Sequence, residues 1–155
     1  MGLRKLITRS NPPLEVLDMD LSDMRAKDFR WCFDRLSTLR RFRITGSDMS
    51  DKVIDLFKPI MPSLPIETGG DTTPRPPPAV KLRLPHLLKL KLYNCQRLTG
   101  KAVIDALSNR VRYTDGLKAG TETTLQRVAI VDCIGFGVED AQKLSEVLGD
   151  RLRVI

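Results

Sequence analysis

Histidine is nearly absent from this chain, with one in 155 residues, and cysteine occurs three times. A zinc site wants four ligands drawn from Cys, His and carboxylate at close spacing, so no metal is expected. The odd cysteine count, without a signal peptide, argues against a disulfide framework and for an intracellular, reducing compartment, cytoplasmic or nuclear. No apolar run approaches the ~20 residues of a bilayer crossing, and no membrane partner is expected. Aromatic residues make up 5% of a chain that is 41% hydrophobic. That balance predicts an aliphatic core and few rings for stacking on bases.

Catalytic motifs are missing as well, and neither a catalytic residue nor a cofactor is expected. Thr99-Gly100-Lys101 is like the end of a phosphate-binding loop, but Cys95 stands where that loop needs its earlier glycine. Gly135-Phe136-Gly137 fits the backbone demands of a strand-to-helix turn better than a nucleotide. A Ser/His/Asp triad would have to use His86, for which nothing in the sequence fixes a partner. Glu139 and Asp140 open a helix and complement its dipole. Near the start, Arg4, Lys5 and Arg9 share a charge bias with organelle-targeting peptides, but Leu3, Leu6 and Ile7 fit better as turns of a helix. Gly2 follows Met1 as acylation requires, yet Leu6 fills the position where that signal carries Ser or Thr.

What the chain has in quantity is a spaced run of leucine-type residues. Leu87, Leu90, Leu92, Cys95 and Leu98 stand at offsets 0, 3, 5, 8 and 11 of one segment. Leu125, Val128, Ile130, Cys133 and Phe136 stand at the same offsets of another. Leu14, Leu17 and Met19 open the pattern earlier, Leu39, Phe42 and Ile44 repeat it, and Leu152 with Ile155 begins it again. Such repetition predicts a single solenoid domain over residues 1–155, whose work is to present a binding surface.

Offsets 3 and 5 alternate with polar residues, as in a strand with one buried face. The pattern predicts parallel strands over 15–19, 40–44, 89–92 and 127–130, with helices over 27–36, 51–60, 101–110 and 139–148. Ser50 and Thr99 are candidate N-caps, each with a hydroxyl able to accept a first-turn amide. Cys32, between Trp31 and Phe33, reads as a core residue rather than a nucleophile. No strand-helix unit buries its own apolar face. The units must therefore stack, with a parallel sheet on the inner side of an arc and helices outside, an α/β fold.

On these residues the chain resembles the leucine-rich-repeat proteins, and among them the cysteine-containing subtype of F-box proteins, most closely those of fungi. Cys95 and Cys133 stand where that subtype carries cysteine, and Leu98-Thr99 matches the pair that follows it. The resemblance covers nearly the whole chain outside two inserts. Ser22 and Ser47 depart from it at the cysteine position, and no F-box precedes the first repeat. The resemblance implies substrate recognition for a cullin-type ubiquitin ligase, in which the F-box docks the adaptor and the repeats hold the substrate. This chain would be the substrate-binding part, with any link to the ligase adaptor running through the missing F-box.

The step from Leu39 to Leu87 is 48 residues, against 25 from Leu14 to Leu39. The surplus predicts a proline-rich insert over about 62–83, in which Thr73-Pro74-Arg75-Pro76-Pro77-Pro78 continues neither helix nor central strand. It reads as a surface insertion; a ligand for a proline-recognition domain, or a phosphorylation site at Thr73, is the functional alternative. A second surplus precedes Leu125 and holds Asp115, Gly116 and Gly120.

Side chains flanking offsets 3 and 5 should point to the concave face. They are Val16, Asp18 and Asp20; Arg41, Arg43 and Thr45; Lys89, Lys91 and Tyr93; and Arg127, Ala129 and Val131. Arg41, Lys89 and Arg127 form one basic row, with Arg43 and Lys91 part of another. Like charges opposite one another destabilise a sheet, so stability alone would not favour them. Partner-binding residues are therefore expected to be Arg41, Arg43, Lys89, Lys91, Tyr93 and Arg127, and the partner an acidic or phosphorylated protein. The alternatives are a merely solvated face, a free-standing scaffold, or nucleic acid bound through phosphates, since the formal net charge is +7. The last strand, with no helix after it, is a further expected point of end-to-end self-association.

Overall fold

Alternation along each strand decides which side of the sheet the helices cover. The computed structural model describes residues 2–10, 13–20, 25–46, 49–60, 81–116 and 124–154. Five strands pair in sequence order and all in parallel: β1 (Val16–Asp20), β2 (Arg41–Thr45), β3 (Lys89–Tyr93), β4 (Arg127–Val131) and β5 (Leu152–Val154). The helices are α1 (Gly2–Ser10), α2 (Ala26–Phe33), α3 (Asp51–Ile54), α4 (Gly100–Asp115) and α5 (Val138–Leu148). Phe42, Ile44, Leu90, Leu92, Val128 and Ile130 are buried beneath the helices, while the residues between them, Arg43, Lys91 and Ala129, are half-buried on the uncovered side. Leu39, Leu87 and Leu125, three residues before these rows begin, are buried too and fill the base of the core.

Two backbone devices hold the strands in register. Where strands begin, one carbonyl accepts two amides from the next strand: Glu15 from Arg40 and Arg41, Arg40 from Leu88 and Lys89, Leu88 from Gln126 and Arg127. Where they end, Gly46, Asn94 and Asp132 take positive φ of 54°, 53° and 53°. These three occupy one position of the pattern, offset 7, and Gly, Asn and Asp are the residues that tolerate the left-handed region. The turn brings the following residue inward, and Cys95 and Cys133 are buried there. The Cys95 amide donates to the Cys133 sulfur at 3.4 Å, and the Cys133 thiol reaches the Leu92 carbonyl at 3.7 Å. Gly135, two residues beyond Cys133, lies so close to the Leu98 carbonyl that a Cβ would sit 1.9 Å from its oxygen. This is the backbone reason for a glycine there.

Several expectations need correction. Leu152 pairs with Val128, not with the position of Leu125, and Val154 pairs with Ile130. Leu152 and Val154, two apart, fit offsets 3 and 5 as well as Leu152 and Ile155, three apart, fit offsets 0 and 3; the choice is made by Gly149, whose φ of 57° ends α5 and starts the strand early. Arg153 thereby falls beside Ala129. Helix α3 runs only to Ile54 and tightens into a 3₁₀ turn over Asp55–Phe57. Lys58, before Pro59, is extended at ψ 145°, because proline bars the helical region to the residue preceding it. Helix α4 continues past Arg110 to Asp115, since Val111 and Thr114 extend its buried stripe. Thr99 caps it, accepting from the Ala102 amide at 3.3 Å, whereas Ser50 makes no side-chain cap bond. The core is not purely aliphatic: Phe29, Phe33, Phe42 and Phe57 gather with ring centroids 5.3–6.4 Å apart. Ser22, Ser47, Gly120, Ile155 and the insert from 62 to 80 lie outside the described residues.

The last residues assigned to that insert are tied into the fold, and Arg83 among them is buried. Ile60 and Lys81 form an antiparallel bridge, and Arg83 donates to Asp34 at 2.7 Å. Both flanks converge on Arg110 of α4, which is fully buried. Its guanidinium donates to the carbonyls of Phe57, Arg83 and Leu84 at 3.2, 2.9 and 2.5 Å. Leu84 has φ 50°, a conformation that a branched side chain adopts only under constraint. Burial pulls the Arg110 pKa down to about 10, still far above neutrality, so it remains a cation facing neutral carbonyls.

Arg110→Met should therefore destabilise the fold by about 3 kcal/mol, because buried carbonyls lose a charged donor; the shift of a urea denaturation midpoint measures it. Burial also raises the Cys32 thiol from 9.0 to about 11. The folded state then keeps a proton that the unfolded chain loses, so this contribution is complete below pH 9 and disappears as pH rises through 11. Comparing Cys32→Ala with the parent across that interval should show a shallower loss of stability in the variant.

Candidate partner-binding face

The uncovered side of the sheet carries charge in ordered rows. Pairing sets Val16, Arg41, Lys89 and Arg127 in one row, and Asp18, Arg43, Lys91, Ala129 and Arg153 in the next. Asp20, Thr45, Tyr93 and Val131 form the third. All six residues singled out from the sequence, Arg41, Arg43, Lys89, Lys91, Tyr93 and Arg127, thus lie on one face and in the expected register. Arg153 was missed, because its place depends on the β5 register that Gly149 decides.

Parallel strands lie ~4.8 Å apart, so Arg41, Lys89 and Arg127 present three positive charges over about 10 Å. Arg41 and Arg127 are exposed and Lys89 is half-buried, so water screens the row only in part. Among the described residues, Arg43 alone of the five expected cations has an ion-pair partner. Its Nη1 donates to Asp18 Oδ2 at 3.5 Å. The same guanidinium lies 4.9 Å from the centroid of the Tyr93 ring, a cation–π contact that fixes both side chains. The face is therefore acidic at β1 and basic from β2 to β5.

The cysteines stand at the rim and belong to the packing. The hydrogen bond that Cys95 shares with Cys133, with burial second, pushes the Cys95 thiol up and away from thiolate chemistry. Beyond them a shallow cavity of about 530 Å³ is lined by Asn94, Asp132, Ile134, Phe136 and Val154. It holds none of the basic row. No helix of the described residues is long and apolar enough to cross a membrane.

Lys89→Glu would place a carboxylate between Arg41 and Arg127 and turn two repulsions into attractions. Thermal unfolding should show a gain of about 0.5–1 kcal/mol at low salt that shrinks in 1 M salt. No family model and no curated protein matches this chain, and the reading of the face rests on its own residues.

Proposed function

We propose that the chain is a non-catalytic protein-binding module, a leucine-rich-repeat solenoid of the cysteine-containing type, whose concave face holds an acidic or phosphorylated segment of a partner protein. The observation that carries this reading is the in-register row Arg41–Lys89–Arg127 beside Arg43–Lys91 on the uncovered face. Sheet stability opposes such rows, and an anionic partner converts their repulsion into charge-assisted hydrogen bonds. Sequential parallel strands, left-handed residues at offset 7 and buried cysteines at offset 8 support the repeat assignment. By the same resemblance, the partner is the substrate of an F-box-type ubiquitin ligase, and this chain its recognition part.

Nucleic acid is the weaker reading. Tyr93 is the one aromatic of the three rows, and the Arg43 guanidinium already stacks on its ring. That leaves phosphate contacts alone to carry the binding.

Charge reversal at Arg43 and Lys91, both to Glu, should weaken capture of an acidic protein partner while circular dichroism stays unchanged. Each lost charge-assisted contact costs up to about 1.5–3 kcal/mol, less where water screens it. Affinity purification with mass spectrometry identifies that partner and asks whether a ligase adaptor and cullin accompany it. Binding unchanged in the double variant would leave the face merely solvated.

A further inference from the structure

Resting on the reading that this face takes an acidic segment, we propose that it also selects the order of charge along that segment, requiring a cation opposite β1 beside anions opposite β2 and β3. The row Asp18–Arg43–Lys91 passes from acid to base across three adjacent strands, and Asp20 adds a second carboxylate on the β1 side. From Asp18 to Lys91 is two strand spacings, about 10 Å, or roughly three residues of extended chain at ~3.3 Å each. A partner segment lying across the strands meets both signs when a Lys or Arg stands about three residues from its anionic group.

Arg43 is the pivot of this selection. Its bond to Asp18, at 3.5 Å, is long for a charge-assisted contact, where 2.7–2.9 Å is usual. Its Nε is buried without a hydrogen-bond partner among the described residues, and so is Thr45 Oγ1 on the same face of β2. The guanidinium is thus held by Asp18 and Tyr93 with part of its donor fork unused. A partner cation at Asp18 replaces Arg43 there, and Arg43 turns its fork to the partner's anion. A segment with anions only must draw Arg43 from Asp18 and then lie beside an uncompensated carboxylate. Asp18 is in this way a specificity-determining residue that penalises purely acidic ligands.

Fluorescence polarisation on the full chain tests this with labelled synthetic peptides. One carries four glutamates between neutral glycine-serine flanks; the others add two lysines before or after the glutamates, separated from them by two neutral residues so that the nearer lysine stands three residues from a glutamate. The protein's net charge of +7 by itself favours the all-acidic peptide. Expected instead is binding about threefold tighter for a lysine-bearing peptide in one of the two orders. In Asp18→Asn, an exposed and conservative change, that preference should vanish and the all-acidic peptide should bind more tightly than to the parent. If the all-acidic peptide binds the parent as well as or better than both mixed peptides, charge order is overturned and the acidic-partner reading stands. A preference that persists in Asp18→Asn overturns the role of Asp18. Binding of none of the peptides overturns the acidic-partner reading itself.

Discussion

A single register ties the core of this protein to its open face. Side chains alternate along parallel strands, so the pairing that brings Phe42, Leu90 and Val128 together on one side must align Arg41, Lys89 and Arg127 on the other. Neither row can slip alone, because a one-residue shift would turn the whole apolar set outward. Burial of the large apolar side chains is worth about 1.5–3 kcal/mol each, several times the repulsion between neighbouring exposed cations. The core therefore wins, and the face carries the repulsion as positive electrostatic potential.

The same economy appears at both inserts, where polar side chains close the base of each excursion. Arg110 gathers carbonyls from Phe57, Arg83 and Leu84, so the flanks of the long insert meet on α4 and the strand spacing is kept. At the shorter one, Thr124 donates to Asp115 at 2.6 Å and pairs with Thr114 at 2.9 Å, while Arg151 reaches the same carboxylate at 3.2 Å. Loop length costs little once the ends are fixed, since closure entropy grows only with the logarithm of length. The sheet continues past both excursions without a break in pairing.

Helix α1 packs beside α2 in the helical layer. Arg4 donates to the nearly buried Asp28 at 2.9 Å and lies over Trp31, whose ring Arg35 also approaches, at 4.0 Å. Ile7 is buried beneath it. Trp31 is therefore held between two guanidinium groups rather than set in the core, a place that composition alone does not reveal.

Much of the fold was legible because the leucine pattern is strict. Offsets 3 and 5 gave four of the five strands to within a residue, and alternation put all five expected cations and Tyr93 on one face. Offset 7 carried a further readable signal, since Gly46, Asn94 and Asp132 share the residue types that accept positive φ. Other features depended on groups distant in sequence. Arg110 reads as an ordinary polar position of α4 until three carbonyls from 26 to 53 residues away converge on it. Leu152 has two possible registers until Gly149 turns the chain, and only that choice adds Arg153 to the basic row. Arg43 is one cation among several until Asp18 and Tyr93, 25 and 50 residues away, come to flank it. Which residues alternate, and hence which face each one takes, follows from the chain alone, because that period is a local property of an extended backbone. Which neighbours share a row, and which charge is already partnered, was decided only when separate strands stacked.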